Sequence, residues 1–181
     1  MHQAAEQAYQ VLHDLLDWSL AQMGRLEFEP VPLPIADVVA ANLSVFQPLA
    51  AAKNIELRPG DVADVGVMAD RKMVDTIFRN LISNALKFTP EGGQVSLVCG
   101  RDGDWVEVGV SDTGVGIPPD RLAALFDLGQ TASTSGTSGE VGTGLGLHFC
   151  RELVSRHGGD LRVESTPGQR TVFSFTLPVA E

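Results

Sequence analysis

Residues 112–117, Asp112-Thr113-Gly114-Val115-Gly116-Ile117, form the stretch from which the fold and the function are best inferred. They follow Val106, Val108 and Val110, whose alternation predicts a half-buried strand ending near Asp112. Glycine has no Cβ, so this turn presents bare backbone against which a flat ligand can lie. The Asp112 carboxylate would then accept a hydrogen bond from an amino group of that ligand. Because Asp-x-Gly-x-Gly also occurs in many ordinary turns, this stretch alone does not separate a binding site from a plain turn.

Two further stretches are rich in asparagine or glycine. Asn80 and Asn84 lie four residues apart on a helix predicted over 71–87, so they project from one face among apolar neighbours. Such asparagines are solvent-exposed, bonded to the local backbone, or part of a site, and a buried amide needs partners. Residues 142–147, Gly-Thr-Gly-Leu-Gly-Leu, open a second predicted helix that runs to about Arg156, and free N–H groups at a helix start favour an anion. No Gly-Lys-Ser/Thr follows and no strand leads straight into the glycines, which excludes the P-loop and the Rossmann turn.

The stretches 80–88, 112–117 and 142–147, in this order and spacing, resemble the N box and the two glycine boxes of a known family. The family is the catalytic, ATP-binding (HATPase_c) domain of bacterial sensor histidine kinases, within the GHKL superfamily, and the resemblance runs from about Glu27 to Pro178. It implies the Bergerat fold, an α/β (α+β) two-layer sandwich in which three helices cover one face of a mixed, largely antiparallel sheet. It also implies ATP and Mg²⁺ as cofactors.

The resemblance gives individual residues their expected roles. Asn84 would coordinate the Mg²⁺ that bridges the phosphates, Lys87 would bring its ammonium group to them, and Asn80 would support the site. The Asp112 carboxylate would accept the exocyclic amino group of adenine, and Gly116 would let the ring lie against the backbone. The implied catalytic residues are Asn84 and Lys87, and the implied ATP contacts are Asn80, Asn84, Lys87, Asp112, Gly114, Gly116, Ile117, Gln130, Thr131, Gly142, Thr143, Gly144, Leu145, Gly146 and Leu147.

The run from Gln130 to Val141 is small, polar and without apolar periodicity. By resemblance it would be the ATP lid, which orders over bound nucleotide. It contains no Lys or Arg from Thr131 to Val141, whereas kinases of this type often place a basic residue there. This departure bears on phosphoryl transfer more than on nucleotide binding.

Residues 3–25 predict a helix whose apolar residues recur at alternating spacings of three and four, which suits packing in a helical bundle or against its own domain. By resemblance, residues 1–26 are the end of a dimerisation and phosphotransfer helix with its linker, and residues 27–181 are the catalytic domain. Neither His2 nor His13 has the sequence context of a phosphoacceptor. The histidine that receives phosphate is therefore expected on a separate domain.

Periodicity and turn residues predict the remaining elements. Phe126, near the end of the short predicted helix, either belongs to a stretch that loosely resembles the family's F box or is simply a core residue. His148 is expected to be packed in the interior. The predicted elements are an edge strand in the proline-broken stretch 29–34; a helix over 35–52 with Ile35, Val38, Val39, Asn42, Leu43, Phe46 and Leu49 on one face; a strand over 55–58 with a turn at 59–61; a strand over 65–68; an N-cap at Asp70; a hairpin of 94–100 and 105–111; a short helix over 120–128; and a closing hairpin of 161–165 and 171–177.

Composition and charge indicate which partners and which location suit the chain. The 181 residues carry a formal net charge of -10, which disfavours nucleic acid and anionic membranes as partners. The amino end lacks the basic start and apolar middle of a signal peptide, and no apolar run reaches the ~20 residues that span a bilayer. Cys99 and Cys150 are expected to be buried free thiols, which fits a reducing, cytoplasmic location, although the parent protein could be membrane-anchored.

Three functions fit these observations. The leading one is the catalytic domain of a two-component histidine kinase, a transferase that passes the γ-phosphoryl group of Mg-ATP to a histidine on a phosphotransfer domain of the same or a partner chain. Its implied partners include a response regulator, and the parent protein would be a homodimer. The alternatives are a GHKL-type serine kinase and a nucleotide-binding interaction module that transfers no phosphate.

Overall fold

The computed structural model describes residues 27–126, 136–140 and 144–180. The helix predicted over residues 3–25, including His2 and His13, lies outside these ranges, and the division at residue 26 stays a prediction.

Seven strands and four helices make up the described part of the chain. The helices α1, α2 and α4 are long, and α3 is a single short turn. The strands are β1 Val31–Pro34, β2 Glu56–Val62, β3 Gly66–Ala69, β4 Gln94–Asp102, β5 Trp105–Asp112, β6 Leu161–Thr166 and β7 Arg170–Pro178, and the helices are α1 Ile35–Ala52, α2 Arg71–Phe88, α3 Pro119–Ala123 and α4 Gly146–Arg156.

Five of the strands form one mixed sheet in the order β2-β4-β5-β7-β6. Strand β2 runs parallel to β4, and every other neighbouring pair is antiparallel. Strands β1 and β3 form a separate antiparallel pair, which places the prolines of β1 outside the main sheet. The predicted mixed, largely antiparallel sheet is confirmed.

Apolar side chains cover one face of the sheet only. They alternate along the three central strands, at Val95, Leu97 and Cys99 of β4, Val106, Val108 and Val110 of β5, and Phe173, Phe175 and Leu177 of β7. Helix α2 packs against β4 and β5 with α1 and α4 on either side of it. The Phe78 ring of α2 meets the Phe175 ring edge-on, with 5.6 Å between centroids. The predicted layer of three helices over one face is therefore confirmed, and both cysteines are buried and free as expected.

Two predicted elements differ from the structure by more than a residue or two in their limits. The turn predicted at 59–61 is wrong, because β2 continues through these residues to Val62 with a shift in register between Pro59 and Val62. Strand β2 is the edge of the sheet, where a proline without an N–H group is tolerated. Helix α3 ends at Ala123 rather than 128, since the N–H groups of Ala124 and Leu125 bond to carbonyls three residues back and tighten the turn.

The apolar stripe of α1 departs from the prediction at its carboxyl end. The buried positions are Ile35, Val38, Val39, Asn42, Phe46 and Ala50. Leu49, predicted to face the core, is 54% exposed, because the stripe advances by four residues from Phe46 to Ala50. By length and composition α1 could cross a membrane, contrary to the expectation that no such run exists, but it is a core-packed helix of this fold.

Asp70 joins three parts of the fold. Its Oδ1 accepts a hydrogen bond from the Met73 N–H group at 3.1 Å, which confirms the predicted N-cap of α2. Its Oδ2 accepts one from the Glu29 N–H group at 3.0 Å, and its own N–H group donates to His157 Nε2 at 3.0 Å. The chain that enters β1 is thereby tied to α2 and to the residue that ends α4.

Asp70→Ala is expected to lower the free energy of unfolding by about 1–2 kcal/mol, because two backbone N–H groups lose their acceptor. Urea denaturation would measure the change, with the exposed Asp64→Ala as the matched control. Equal stability of the two variants would show that the cap contributes nothing.

Candidate functional site

The Asp112 carboxylate lies at the end of β5 and is nearly inaccessible to solvent, at 4% exposure. Its Oδ1 accepts a hydrogen bond from the Gly114 N–H group at 2.8 Å. Burial raises the pKa of this carboxyl from 3.8 to about 6, and hydrogen bonds from the backbone of Gly114 and Thr171 oppose the rise. An acceptor held at a strand end at this cost is suited to a ligand that brings its own donor.

The raised pKa of Asp112 makes stability depend on pH. The pKa in the folded state lies above the unfolded value, so the stability that protonation contributes is full below pH 3.8 and is lost as the pH rises through about 6. We expect the wild type to lose about 3 kcal/mol across this window relative to Asp112→Asn, which does not titrate. Urea denaturation of both proteins at several pH values would measure the difference. A constant difference between pH 4 and pH 7 would contradict the assignment.

The glycines after Asp112 are required by contacts within the chain itself. Gly116 has φ +68°, and a Cβ there would collide with the carbonyl oxygen of Thr166, the last residue of β6 before the β6–β7 turn. A Cβ on Gly114 would come within 2.6 Å of the Phe88 carbonyl oxygen at the end of α2. The Ile117 N–H group donates to Ser165 Oγ at 2.8 Å. The turn is therefore held between α2 and the β6–β7 turn, a reason for its glycines that the sequence did not reveal.

The first residues of α4 lie against the asparagine face of α2. A Cβ on Gly146 would collide with Asn80 Oδ1, so the glycine allows the amide to sit beside the start of α4. Asn80 Nδ2 donates to the Thr76 carbonyl oxygen at 3.0 Å, so its donor serves the fold. Helix α2 thus contacts both glycine stretches, at Gly146 through Asn80 and at the 112–117 turn through the Phe88 carbonyl.

Residues 69–181 match the profile of the histidine kinase-, DNA gyrase B- and HSP90-like ATPase family. The chain belongs to this family. As a member of it, the protein contains a nucleotide-binding ATPase domain, and the stretches 80–88, 112–117 and 142–147 all lie within the matched range.

Histidine kinases are among the most similar proteins to this ATPase domain. It is 36% identical over 182 residues to the circadian input-output histidine kinase CikA of Synechococcus elongatus. The match covers 98% of this chain and 24% of CikA, so the chain spans about a quarter of that relative.

Solved structures of histidine kinases share the fold. Full-length ShkA in complex with AMPPNP is 29% identical with a TM-score of 0.83, and the match covers 98% of this chain and 37% of ShkA. The catalytic domain of ThkA is 25% identical with a TM-score of 0.71, covering 83% of this chain and 95% of that domain. ThkA in complex with the response regulator protein TrrA is 21% identical with a TM-score of 0.77, covering 99% and 49%. The ATPase domain therefore has the fold of a histidine kinase catalytic domain.

The predicted site residues of this ATPase domain that the structure describes fall on three parts of the fold: α2, the start of α4 and the 112–117 turn. Asn84 and Lys87 are half-buried on the last turns of α2, one and two turns beyond Asn80. Gly144 and Leu145 precede α4, and Gly146 and Leu147 begin it; the side chain of the N-cap residue Leu145 makes no capping hydrogen bond. Ile117 packs against the core beside the 112–117 turn. Gln130, Thr131, Gly142 and Thr143 lie outside the described residues.

Lys87 combines a cation with partial burial. Its ammonium nitrogen lies 4.8 Å from the centroid of the Phe88 ring. Burial lowers the pKa of Lys87, and the nearby Glu140 carboxylate partly raises it again. A cation that is incompletely solvated gains more from an anionic ligand than one in bulk water does.

The described residues offer a divalent ion few ligands. Within 27–126, 136–140 and 144–180, no group of three His, Cys, Asp or Glu side chains is placed to hold a metal ion. A metal here would depend on an amide oxygen such as that of Asn84, with waters and ligand oxygens completing its shell. This donor set suits Mg²⁺, which commonly keeps several waters and few protein ligands.

The remaining predictions concern side chains of α3 and α4. His148 is buried at 6% exposure, as expected of a packed residue. Phe126 packs against the core, with the Arg151 guanidinium carbon 5.5 Å from its ring centroid, so it joins the residues after α3 to α4. Sequence reasoning missed Lys53 and Thr137, which bond at the end of α2, because no local pattern marks either residue.

Proposed function

We propose that this domain binds Mg-ATP and transfers the γ-phosphoryl group to a histidine on a separate phosphotransfer domain. The observation that carries the proposal is the buried Asp112 carboxylate at the end of β5. It would accept the exocyclic amino group of adenine and disfavour guanine, which has an acceptor oxygen at that position. The nucleotide in the ShkA structure, AMPPNP, is an adenine nucleotide.

The phosphates would lie toward α2 and the start of α4. Asn84 would hold the Mg²⁺, which neutralises phosphate charge when bound. The Lys87 ammonium would pair with phosphate oxygens, and the N–H groups at the start of α4 would bind them further. Asn80, with its donor used by Thr76, would support the site by lying against Gly146 at the start of α4.

In this proposal the residues of the chain position the reactants and stabilise charge. A nitrogen of the neutral target imidazole forms a bond to the γ-phosphorus, while the bond to the β-phosphate oxygen breaks and ADP leaves. The imidazole itself is the nucleophile, so the domain supplies no general base.

The proposed partners follow from the relatives. A phosphotransfer domain of the same or a partner chain would present the histidine, a response regulator would receive the phosphoryl group next, and the parent protein would be a homodimer. ThkA has been solved with its response regulator protein TrrA. We place the domain in the cytoplasm, where ATP is abundant.

One observation favours the interaction module that transfers no phosphate as second candidate. The run from Thr131 to Val141 contains no Lys or Arg to contact the γ-phosphate. In that case the domain would bind ATP and leave it intact.

Transfer of labelled phosphate from ATP to an added phosphotransfer domain tests the proposal. We expect label that is acid-labile, as phosphohistidine is. Acid-stable label on serine would favour a GHKL-type serine kinase instead. ATP binding without any label on the acceptor would favour the interaction module.

A further inference from the structure

Lys53 directly follows α1, and its ammonium nitrogen lies within hydrogen-bond distance of four oxygens from two distant parts of the chain. Two are carbonyl oxygens at the end of α2, those of Leu86 at 2.7 Å and Lys87 at 3.1 Å. The other two belong to the 136–140 segment, Thr137 Oγ1 at 2.7 Å and Glu140 Oε1 at 2.9 Å. The side chain of Lys53 is only 16% exposed, so water replaces few of these contacts.

The end of α2 favours a cation at this place. The last carbonyl groups of a helix carry partial negative charge and have no partner within the helix. Lys53 supplies a positive charge to two of them. The Thr137 N–H group also donates to the Lys87 carbonyl oxygen, at 3.0 Å, so the 136–140 segment lies directly over the helix end.

Glu140 is held in one orientation. Its Oε1 pairs with Lys53, and its Oε2 accepts a hydrogen bond from the Ser138 N–H group at 2.9 Å. It is the one charged residue in the sequence from Gln130 to Val141. Both oxygens of the Glu140 carboxylate thus have a partner, one in Lys53 and one in the Ser138 N–H group.

Glu140 also acts electrostatically on Lys87. Its carboxylate raises the pKa of the Lys87 ammonium group against the effect of burial. An anion near Lys87 competes with any anionic ligand for the same charge. Without Lys53, Glu140 would keep only its bond from the Ser138 N–H group and lose its cationic partner, and the partly buried Lys87 ammonium would attract it.

We propose that Lys53 is a positioning residue for nucleotide phosphate: by holding Glu140 and the end of α2, it leaves the Lys87 ammonium group for the phosphates. The inference rests on the proposed function, in which Lys87 faces the phosphates of ATP. The 130–141 run has no Lys or Arg of its own. In this inference Lys53, between α1 and β2, neutralises Glu140, the acidic residue of that run.

Calorimetric titration with Mg-ATP and with adenosine tests the role of Lys53. Lys53→Met is expected to weaken ATP binding about tenfold, because Glu140 then pairs with Lys87. The affinity for adenosine is expected to stay within about twofold, since adenosine has no phosphate for Lys87 to bind. Adding Glu140→Gln to Lys53→Met is expected to restore the ATP affinity. Lys72→Met, at an exposed position near the start of α2, is the matched control.

The outcomes separate this inference from the proposed function. Absence of ATP binding by the wild type would overturn the proposed function. ATP binding by the wild type that Lys53→Met leaves unchanged would overturn only the role of Lys53, as would an equal loss of ATP and adenosine affinity or a failure of Glu140→Gln to restore binding. If Lys53→Met does not fold, Glu140→Gln alone decides. We expect it to leave the ATP affinity within about twofold of the wild type, because Lys53 already holds Glu140. A gain of about tenfold would overturn the role of Lys53, because Glu140 would then compete despite its ion pair.

Discussion

Asp112→Asn is expected to weaken ATP binding about 100-fold, the largest loss of affinity from any single change that keeps the size of the side chain. The carboxylate is an acceptor at both oxygens, and one of them already accepts the Gly114 N–H group. An asparagine that keeps this bond would turn its NH₂ group toward the amino group of adenine, so two donors would face each other. The same NH₂ group can donate to the oxygen of guanine. We therefore expect the preference for ATP over GTP to shrink or reverse, measured by calorimetric titration with both nucleotides.

Two checks guard this expectation. Asp104→Asn, an exposed change in the β4–β5 turn, should leave both affinities unchanged. Asp112→Asn should stay folded at pH 7, because it removes a carboxylate whose burial is unfavourable there. Wild-type affinity for ATP in Asp112→Asn would exclude Asp112 as the adenine acceptor.

Asn84→Ala is expected to abolish the part of ATP affinity that depends on Mg²⁺ and to lower the rate of phosphoryl transfer by roughly 100-fold or more. Asn84 is half-buried on the face of α2 that also carries Asn80, and the described residues offer no cluster of acidic or histidine ligands to replace it. Titrations with ATP in the presence and absence of Mg²⁺ would measure the first effect. Transfer of labelled phosphate to an added phosphotransfer domain would measure the second.

The neighbouring exposed change Ser83→Ala serves as control for Asn84→Ala. Adenosine binding should be the same in both variants, since in the proposed site adenosine would contact the 112–117 turn and not Asn84. If Mg²⁺ strengthens ATP binding equally in Asn84→Ala and in the wild type, the metal is held elsewhere.

The sequence predicted those parts of the fold that local patterns determine. Helix α2 has a strong apolar periodicity and an N-cap, and the β4–β5 hairpin has alternating residues on both sides of its turn. The prediction was wrong where tertiary position overrides a local preference. A proline such as Pro59 would interrupt a strand in the interior of a sheet, but β2 lies at the edge, where the proline is tolerated. Leu49 fits the helical stripe by spacing, yet Ala50 is the residue that is buried in the core.

The expected roles of the candidate site residues came from the family resemblance. The position of Asp112 after an alternating strand and of Asn80 with Asn84 on one helix face could be inferred from spacing alone. The bond between Lys53 and Glu140 could not, because the two residues are 87 positions apart and neither stands in a recognisable motif. The collision that a side chain at Gly116 would make with Thr166 was equally hidden, since it depends on where the β6–β7 turn comes to rest.

The pairing of β5 with β7 has a consequence for how the domain acquires its activity during synthesis. Asp112 lies opposite Thr171, in the last strand of the sheet, and a hydrogen bond from the Thr171 backbone helps to hold the carboxylate. Contacts between distant parts of a chain form late, because a long loop must close first. A ribosome-bound chain that has not yet released β7 can form the β4–β5 hairpin but lacks the strand that pairs with β5 at Asp112, the proposed adenine acceptor. Nucleotide should therefore act as a ligand of the finished domain and not as a template for its folding.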